Sequence, residues 1–221
     1  MMGALVLAGC KSASDAPDKP GLDAAVKGTQ PLAYYRLNSS KGSSEAGGTS
    51  YEFTGGTELN GKNTWIKTTQ MGGIEKTGSI MAWVRLAVAP KDAGHILYVA
   101  GESQSGNDFD LQFEQDNNLR FFTGAGGNVA YAPDPGTLVN QWHMIVATMD
   151  AAAPARAIYW DGKPAAADHE NSNAKKTGQF TIGESPVFTG RFFNGGIKEV
   201  ALWDRALSAA EVAALYKAAH D

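Results

Sequence analysis

Cysteine is almost absent from this 221-residue chain, and the one present, Cys10, excludes an intrachain disulfide framework and a Cys-Cys zinc pair. Histidine is nearly as scarce. His95, His143, His169 and His220 are too scattered to set two imidazoles on one helical face, the spacing a helical metal site needs. They read as hydrogen-bonded or solvated side chains. No basic tract is present and the formal net charge is −4, so no nucleic-acid partner is expected. Also missing are a glycine-rich phosphate loop behind a strand, a long helical pattern and an internal repeat. What remains is 43% apolar residues and 26 glycines, enough core and enough turns for one large all-β domain.

From Pro31 onward short strand-like runs alternate with turn signals at roughly ten-residue intervals, the rhythm of a sandwich or barrel. Leu32–Leu37, Thr64–Thr68, Gly78–Leu86 and Trp142–Asp150 are the clearest runs. Asn60-Gly61 and Asp161-Gly162 are turn dipeptides, because Asn, Asp and Gly tolerate the positive φ angles of tight hairpins. Near the C-terminus, Arg191-Phe192-Phe193 reads as a β-rich run turning on Asn194-Gly195-Gly196. The strand Ile197–Trp203 follows, with Ile197, Glu199, Ala201 and Trp203 on one parity, and both parities largely apolar. Ser208-Ala209-Ala210-Glu211 is a capping box, and Val212, Leu215 and Tyr216 recur behind it at helical spacing.

Several of these runs resemble one family. Gly-x-Ile-x-Glu-Val (195–200), followed by Trp203-Asp204-Arg205-Ala206-Leu207-Ser208 and Glu211, is similar to the C-terminal signature of laminin-G-like domains of the concanavalin-A-like jelly-roll group. Ser79-Ile80-Met81-Ala82-Trp83-Val84, Trp142-His143 with Thr148 and Asp150, and Tyr159-Trp160-Asp161-Gly162 resemble further strands and a hairpin of that family, in order. The resemblance covers almost all of residues 31–219. It implies a two-sheet antiparallel jelly-roll sandwich over residues 31–221 with a short C-terminal α-helix, each strand burying one face and leaving the other to solvent. As the fold hosts lectins, adhesion modules and glycosidases alike, it does not name a ligand.

At the other end, Leu5-Val6-Leu7-Ala8-Gly9-Cys10 resembles a bacterial lipobox, which implies cleavage before Cys10 and lipid attachment to its thiol. With no Lys or Arg before it and only nine residues in front, Met1 and Met2 are expected to lie inside a longer signal. Residues 11–30 are small, polar and Pro-containing, the composition of a flexible tether. The expectation is a cell-envelope lipoprotein, membrane-held through Cys10. Lys11, in place of an aspartate after the cysteine, points to the outer membrane by the sorting rule for such proteins.

Candidate binding residues follow from chemistry. Phe109, Leu111 and Phe113 alternate with Asp108, Asp110, Gln112 and Glu114, so an acidic face is expected to look into solvent. The resemblance invites comparison with laminarinase-type glycosidases, but Asp110 and Glu114 would stand about 13 Å apart along a strand, beyond the spacing of either glycosidase mechanism. Asp108 and Asp110, about 7 Å apart, would suit an inverting pair, yet nothing marks either as a proton donor. The expectation is therefore a non-catalytic binding module. Trp65, Tyr98, Tyr131, Trp160 and Phe188, with Asp108 and Asp110, are the candidates for stacking on and hydrogen-bonding a glycan. A protein partner at the cell surface is the alternative. The family resemblance also implies Ca²⁺ at the loop rim, for which Asn107, Asp108 and Asp134 are the oxygen donors. A second family calcium position falls at Lys198, whose ammonium cannot ligate a cation; there the expectation is a lost ion and a pairing of Lys198 with a nearby acid.

Overall fold

The structure, a computed structural model, describes residues 19–55, 58–71, 74–102, 109–124, 127–152, 155–170 and 178–221. Helix α1 (Pro20–Gly28) comes first, then strands β1 (Ala33–Tyr35), β2 (Lys41–Ser43), β3 (Ser50–Thr54), β4 (Leu59–Asn60) and β5 (Trp65–Met71). β6 (Thr77–Leu86), β7 (Leu97–Glu102), β8 (Phe109–Phe113), β9 (Leu119–Thr123) and β10 (Asn128–Tyr131) follow. β11 (His143–Asp150), β12 (Ala155–Trp160), β13 (Lys163–Asp168), β14 (Gln179–Ile182), β15 (Asn194–Trp203) and helix α2 (Ala209–Ala218) complete the chain.

Two antiparallel sheets stack as expected of a jelly roll. One runs β1-β15-β6-β11-β12-β13, with β4 on β15; the other runs β10-β9-β8-β7-β14-β5-β3-β2. Alternation decides which side chains fill the space between them: Ile80, Ala82 and Val84 from β6, Ile145, Ala147 and Met149 from β11, and Phe109, Leu111 and Phe113 from β8.

A third layer departs from the expected sandwich. The outer face of the seven-stranded sheet is not left to water. Met81, Trp83, Met144, Val146, Ala201 and Trp203 form a second core with Leu22 and Val26 of α1 and Val212 and Leu215 of α2. Residues 20–28, read above as part of a flexible tether, are therefore helical. Pro20 sits in the first turn, where its missing N–H costs nothing, and Leu22 and Val26, four apart, put both apolar groups on one face. The Trp203 indole N–H donates to the Thr29 hydroxyl at 3.0 Å, tying the end of α1 to β15. Helix α2 starts on the expected capping box: Glu211 N–H donates to the Ser208 hydroxyl, and the Glu211 carboxylate accepts from Ser208 N–H.

β15 corrects two local readings. Arg191–Phe193 is not a strand, and Asn194-Gly195-Gly196 is not a turn but the start of β15, paired with β4 and β6. Gly195, at φ +142, is there because a Cβ would sit 2.0 Å from the Arg85 carbonyl oxygen. The simple parity also fails. A bulge between Lys198 and Ala201 places Glu199 at φ +51, so Ile197, Val200 and Leu202 enter the inter-sheet core while Ala201 and Trp203 face the helices. Glu199 is thereby buried. It accepts a short hydrogen bond from the Tyr34 hydroxyl and lies 3.5 Å from the Arg36 guanidinium.

Candidate functional site

Three places gather chemically useful side chains. The first is the outer face of the eight-stranded sheet. Register sets Tyr98 beside Gln112 and Gly101 beside Asp110, so Tyr98, Asp110 and Gln112 share that face as the alternation predicts. They are not solvated, however: Asp110 is 4% exposed, Gln112 3% and Tyr98 1%. The segment between β14 and β15 reaches Gln112. The Thr181 hydroxyl donates to the Glu184 carbonyl, Arg191 donates to the Gln112 side-chain oxygen at 3.1 Å, and the His95 ring reaches the Phe192 carbonyl. Asp110 and Tyr98 are thus buried rather than an exposed acidic face and a stacking platform.

The same loop exposes Val187 (39%) and Phe188 (43%), the large apolar side chains exposed among the described residues. The Arg191 guanidinium lies 4.2 Å from the centre of the Phe188 ring. Ser185, buried, accepts from the Phe188 and Val187 backbone N–H groups and so shapes the tip. Trp65 opens β5, half-buried and three strands from Asp110, about 14 Å across the sheet. Between β5 and the sheet edge lies an open depression of about 460 Å³ lined by Lys41, Glu52, Lys67 and Thr69.

At the second place the structure brings together Tyr131 and Trp160, their rings 5.6 Å apart. Both are half-buried against the inter-sheet core, and Trp160 also lies 4.5 Å from the His143 ring. His143 is a structural hub. Nδ1 contacts the Asp161 carboxylate at 2.8 Å and Nε2 the Thr137 carbonyl at 2.9 Å. Both partners accept, so the two hydrogen bonds favour the doubly protonated ring. Burial opposes that charge, but the hydrogen bonds to Asp161 and Thr137 prevail and raise its pKa above the ordinary histidine value. Asp161, at φ +50 in the hairpin turn, also accepts from Met144 N–H. The Trp-His and Asp-Gly motifs are therefore clamped to one another, and their conspicuous residues hold the fold. Asp134 is exposed and accepts from Gly136 N–H, closing its own turn. Asn107 and Asp108 lie outside the described residues, as does Cys10. Among the described residues no three His, Cys, Asp or Glu side chains gather to hold a metal.

The third place is a groove of about 540 Å³ where the start of β15 runs beside β4 and the end of β6. Trp142 packs on Gly196, whose Cβ, if present, would lie 2.7 Å from the indole, and the Arg85 guanidinium lies 5.4 Å from that ring's centre. Lys198 lines the same groove and forms no ion pair among the described residues, so its expected pairing with an acid is not formed.

Two buried ionisable groups escaped the sequence reading. Arg156, on the core-facing parity of β12, makes a two-point hydrogen bond to Asp168 at 2.9 and 2.6 Å and a third bond to the Thr123 hydroxyl. Burial works against the Asp168 carboxylate, but Arg156 holds its pKa below the ordinary range. Glu102 ends β7 opposite Phe109 and Phe180, and neither carboxylate oxygen has a hydrogen-bond partner among the described residues. Burial pushes its pKa up to about 7. Charged residues at strand ends normally read as exposed, so no local signal marks either group.

Comparison with known proteins bears on the fold. A family model described as the concanavalin A-like lectin/glucanases superfamily matches residues 60–213. No curated protein has a significant match to the chain. Among solved structures, the botulinum neurotoxin serotype D binding domain superposes with a TM-score of 0.66 at 10% identity, over 85% of this chain and 51% of that one. The botulinum neurotoxin type G receptor binding domain gives 0.61 at 15% identity, over 85% and 51%. A Trypanosoma rangeli sialidase, in complex with 2,3-difluorosialic acid, gives 0.65 at 15%, over 88% and 36%. This chain spans about half the length of the neurotoxin domains and about a third of the sialidase, and at such identities the likeness concerns the fold. With two stacked antiparallel sheets, a capped C-terminal helix and a family model that matches most of the chain, this protein belongs to the concanavalin A-like lectin/glucanase superfamily as a laminin-G-like member.

Proposed function

We propose that the chain is a non-catalytic, glycan-binding jelly-roll module displayed at the bacterial cell envelope by a lipid on Cys10. The observation that carries the binding reading is the β14–β15 loop. A soluble surface seldom exposes neighbouring large apolar groups without use, and here Val187 and Phe188 stand out beside a guanidinium. An aromatic ring next to a fork of N–H donors suits a sugar, whose C–H face stacks while its hydroxyls accept. The fold relatives include binding domains and a sialidase in complex with a sialic acid derivative, which supports a saccharide ligand in kind only. The test is a glycan array with the full chain carrying C10S, repeated with F188A. Glycan signals in the first that vanish in the second, at an unchanged melting temperature, are expected. Equal signals in both would remove the loop from the site.

A protein partner at the cell surface is the second reading, favoured by the same apolar tip. Recovery of one envelope protein by the parent chain and not by F188A, together with an empty glycan array, would decide for it. The envelope address rests on the Leu-Ala-Gly-Cys match. Residues 20–28 of the expected tether form α1 and pack on the domain, so they do not belong to the linker. Mass spectrometry of the protein expressed in bacteria checks this; an unmodified Cys10 with residues 1–9 retained refutes it.

A further inference from the structure

We infer that the groove between Arg85, Trp142, Lys198 and Asn194 is a second binding site, built for a carboxylate-bearing saccharide of the polyuronate type. The argument starts from register. Gly196 pairs with Arg85 and Lys198 with Trp83, so Arg85 and Lys198 project from the same face as diagonal neighbours, about 7–8 Å apart. That is the spacing of their backbone positions, close enough for one anion to reach both long side chains. Neither cation enters an ion pair among the described residues, and Glu58, the acid that lines the groove, pairs with neither. An anion seated between the two would collect charge-assisted hydrogen bonds from both.

Arg85 is also held in place. Gly196 lacks the side chain that would push Trp142 away, Trp142 lies against it, and the Arg85 guanidinium rests over the indole. This stack orients one cation before any ligand arrives, which lowers the ordering cost of binding. Trp142 is accordingly a positioning residue. The rest of the lining is mixed: Leu59 and Ile197 are apolar, and the Asn194 carboxamide has no hydrogen-bond partner among the described residues. Apolar patches, a carboxamide and two cations match the C–H faces, hydroxyls and carboxylates of a uronate chain. The volume falls within the range of about 300–1,000 Å³ usual for small-ligand sites.

The test is calorimetric titration of the full chain carrying C10S with three probes: tetragalacturonate, an alginate oligosaccharide and a hyaluronan oligosaccharide. The fully methyl-esterified tetragalacturonate, equal in shape but uncharged, is the control. At least one polyuronate is expected to bind saturably, and more weakly as salt rises. R85Q and K198Q should each weaken that binding by roughly tenfold. The ester should bind at least as weakly if tetragalacturonate is the ligand. G196A, which drives the indole aside, should weaken binding while K198Q keeps the parent melting temperature as a check on folding. F188A should leave polyuronate binding unchanged. Loss of polyuronate binding in F188A with parent affinity in R85Q and K198Q would place the ligand on the β14–β15 loop and overturn the proposal. Failure of all three uronate-containing probes to bind, an ester that matches a tetragalacturonate that binds, or an R85Q/K198Q double variant with parent affinity each overturns the proposal.

Discussion

Replacing Glu102 with glutamine should stabilise this protein above neutral pH and do little in acid. The reasoning rests on where β7 ends. Glu102 is 1% exposed, faces Phe109 and Phe180 across its two neighbouring strands, and has no hydrogen-bond partner among the described residues. Burial without a partner favours the neutral acid, which is why its pKa rises from an ordinary 4.5 to about 7. The sign follows from proton linkage. Between those two values the folded chain holds a proton that the unfolded chain has released, so stability falls as pH climbs through the window and levels off above it. A gap of that size corresponds to about 3 kcal/mol, a large part of the stability of an ordinary domain. Glutamine keeps the shape and removes the charge. Urea unfolding of parent and E102Q between pH 4 and 8.5 should give curves that nearly meet at pH 4 and differ by about 3 kcal/mol at pH 8. For a chain of this length that equals roughly 6–12 °C in melting temperature at the alkaline end. Parallel curves for the two proteins across the whole range would refute the argument, because they would mean that Glu102 has the same pKa folded and unfolded.

The remaining predictions concern the scaffold. In the His143–Asp161 clamp the raised histidine pKa means that the stability it supplies is complete below about 6.5 and fades as pH rises through the folded value; D161N, which suits the positive φ, should lower the His143 titration midpoint seen by NMR, and an unchanged midpoint would contradict the clamp. D168N should cost about 3–5 kcal/mol in chemical denaturation, since it strands Arg156, 2% exposed, without its counter-charge, and R156M should cost less because Asp168 can still be hydrated; the reverse order would show that the pair is not buried as described. G195A should destabilise by roughly 2–4 kcal/mol or prevent folding, from a Cβ 2.0 Å from the Arg85 carbonyl at φ +142; a variant with the parent melting temperature would show that β15 and β6 can part at that point.

Much of the sandwich was legible because its rules are local. Alternation set Phe109, Leu111 and Phe113 inward, Asp161-Gly162 turned with positive φ at both residues, and Ser208 with Glu211 started the last helix. α1 was missed although Pro20 and the Leu22/Val26 pair carried the signal, because short polar neighbours hid a stripe only two residues long. The site was less legible. Of Trp65, Tyr98, Tyr131, Trp160 and Phe188, the aromatics that the sequence offers near loops, Phe188 is the one that the fold leaves exposed, and Tyr98 is buried.

What the sequence determined by itself was the strand faces and the turns, because each depends on residues one to four positions apart, and the fold family through motifs that resemble it in order along the chain. Tertiary structure decided what covers each face. Gln112 meets Arg191, 79 residues away, so this outward-pointing side chain lies against a loop instead of in water. Arg85 and Lys198, 113 positions apart, become neighbours through strand pairing alone. Period-two alternation states that a side chain points outward; only the packing of distant segments settles whether outward means solvent, a helix or a groove that awaits an anion.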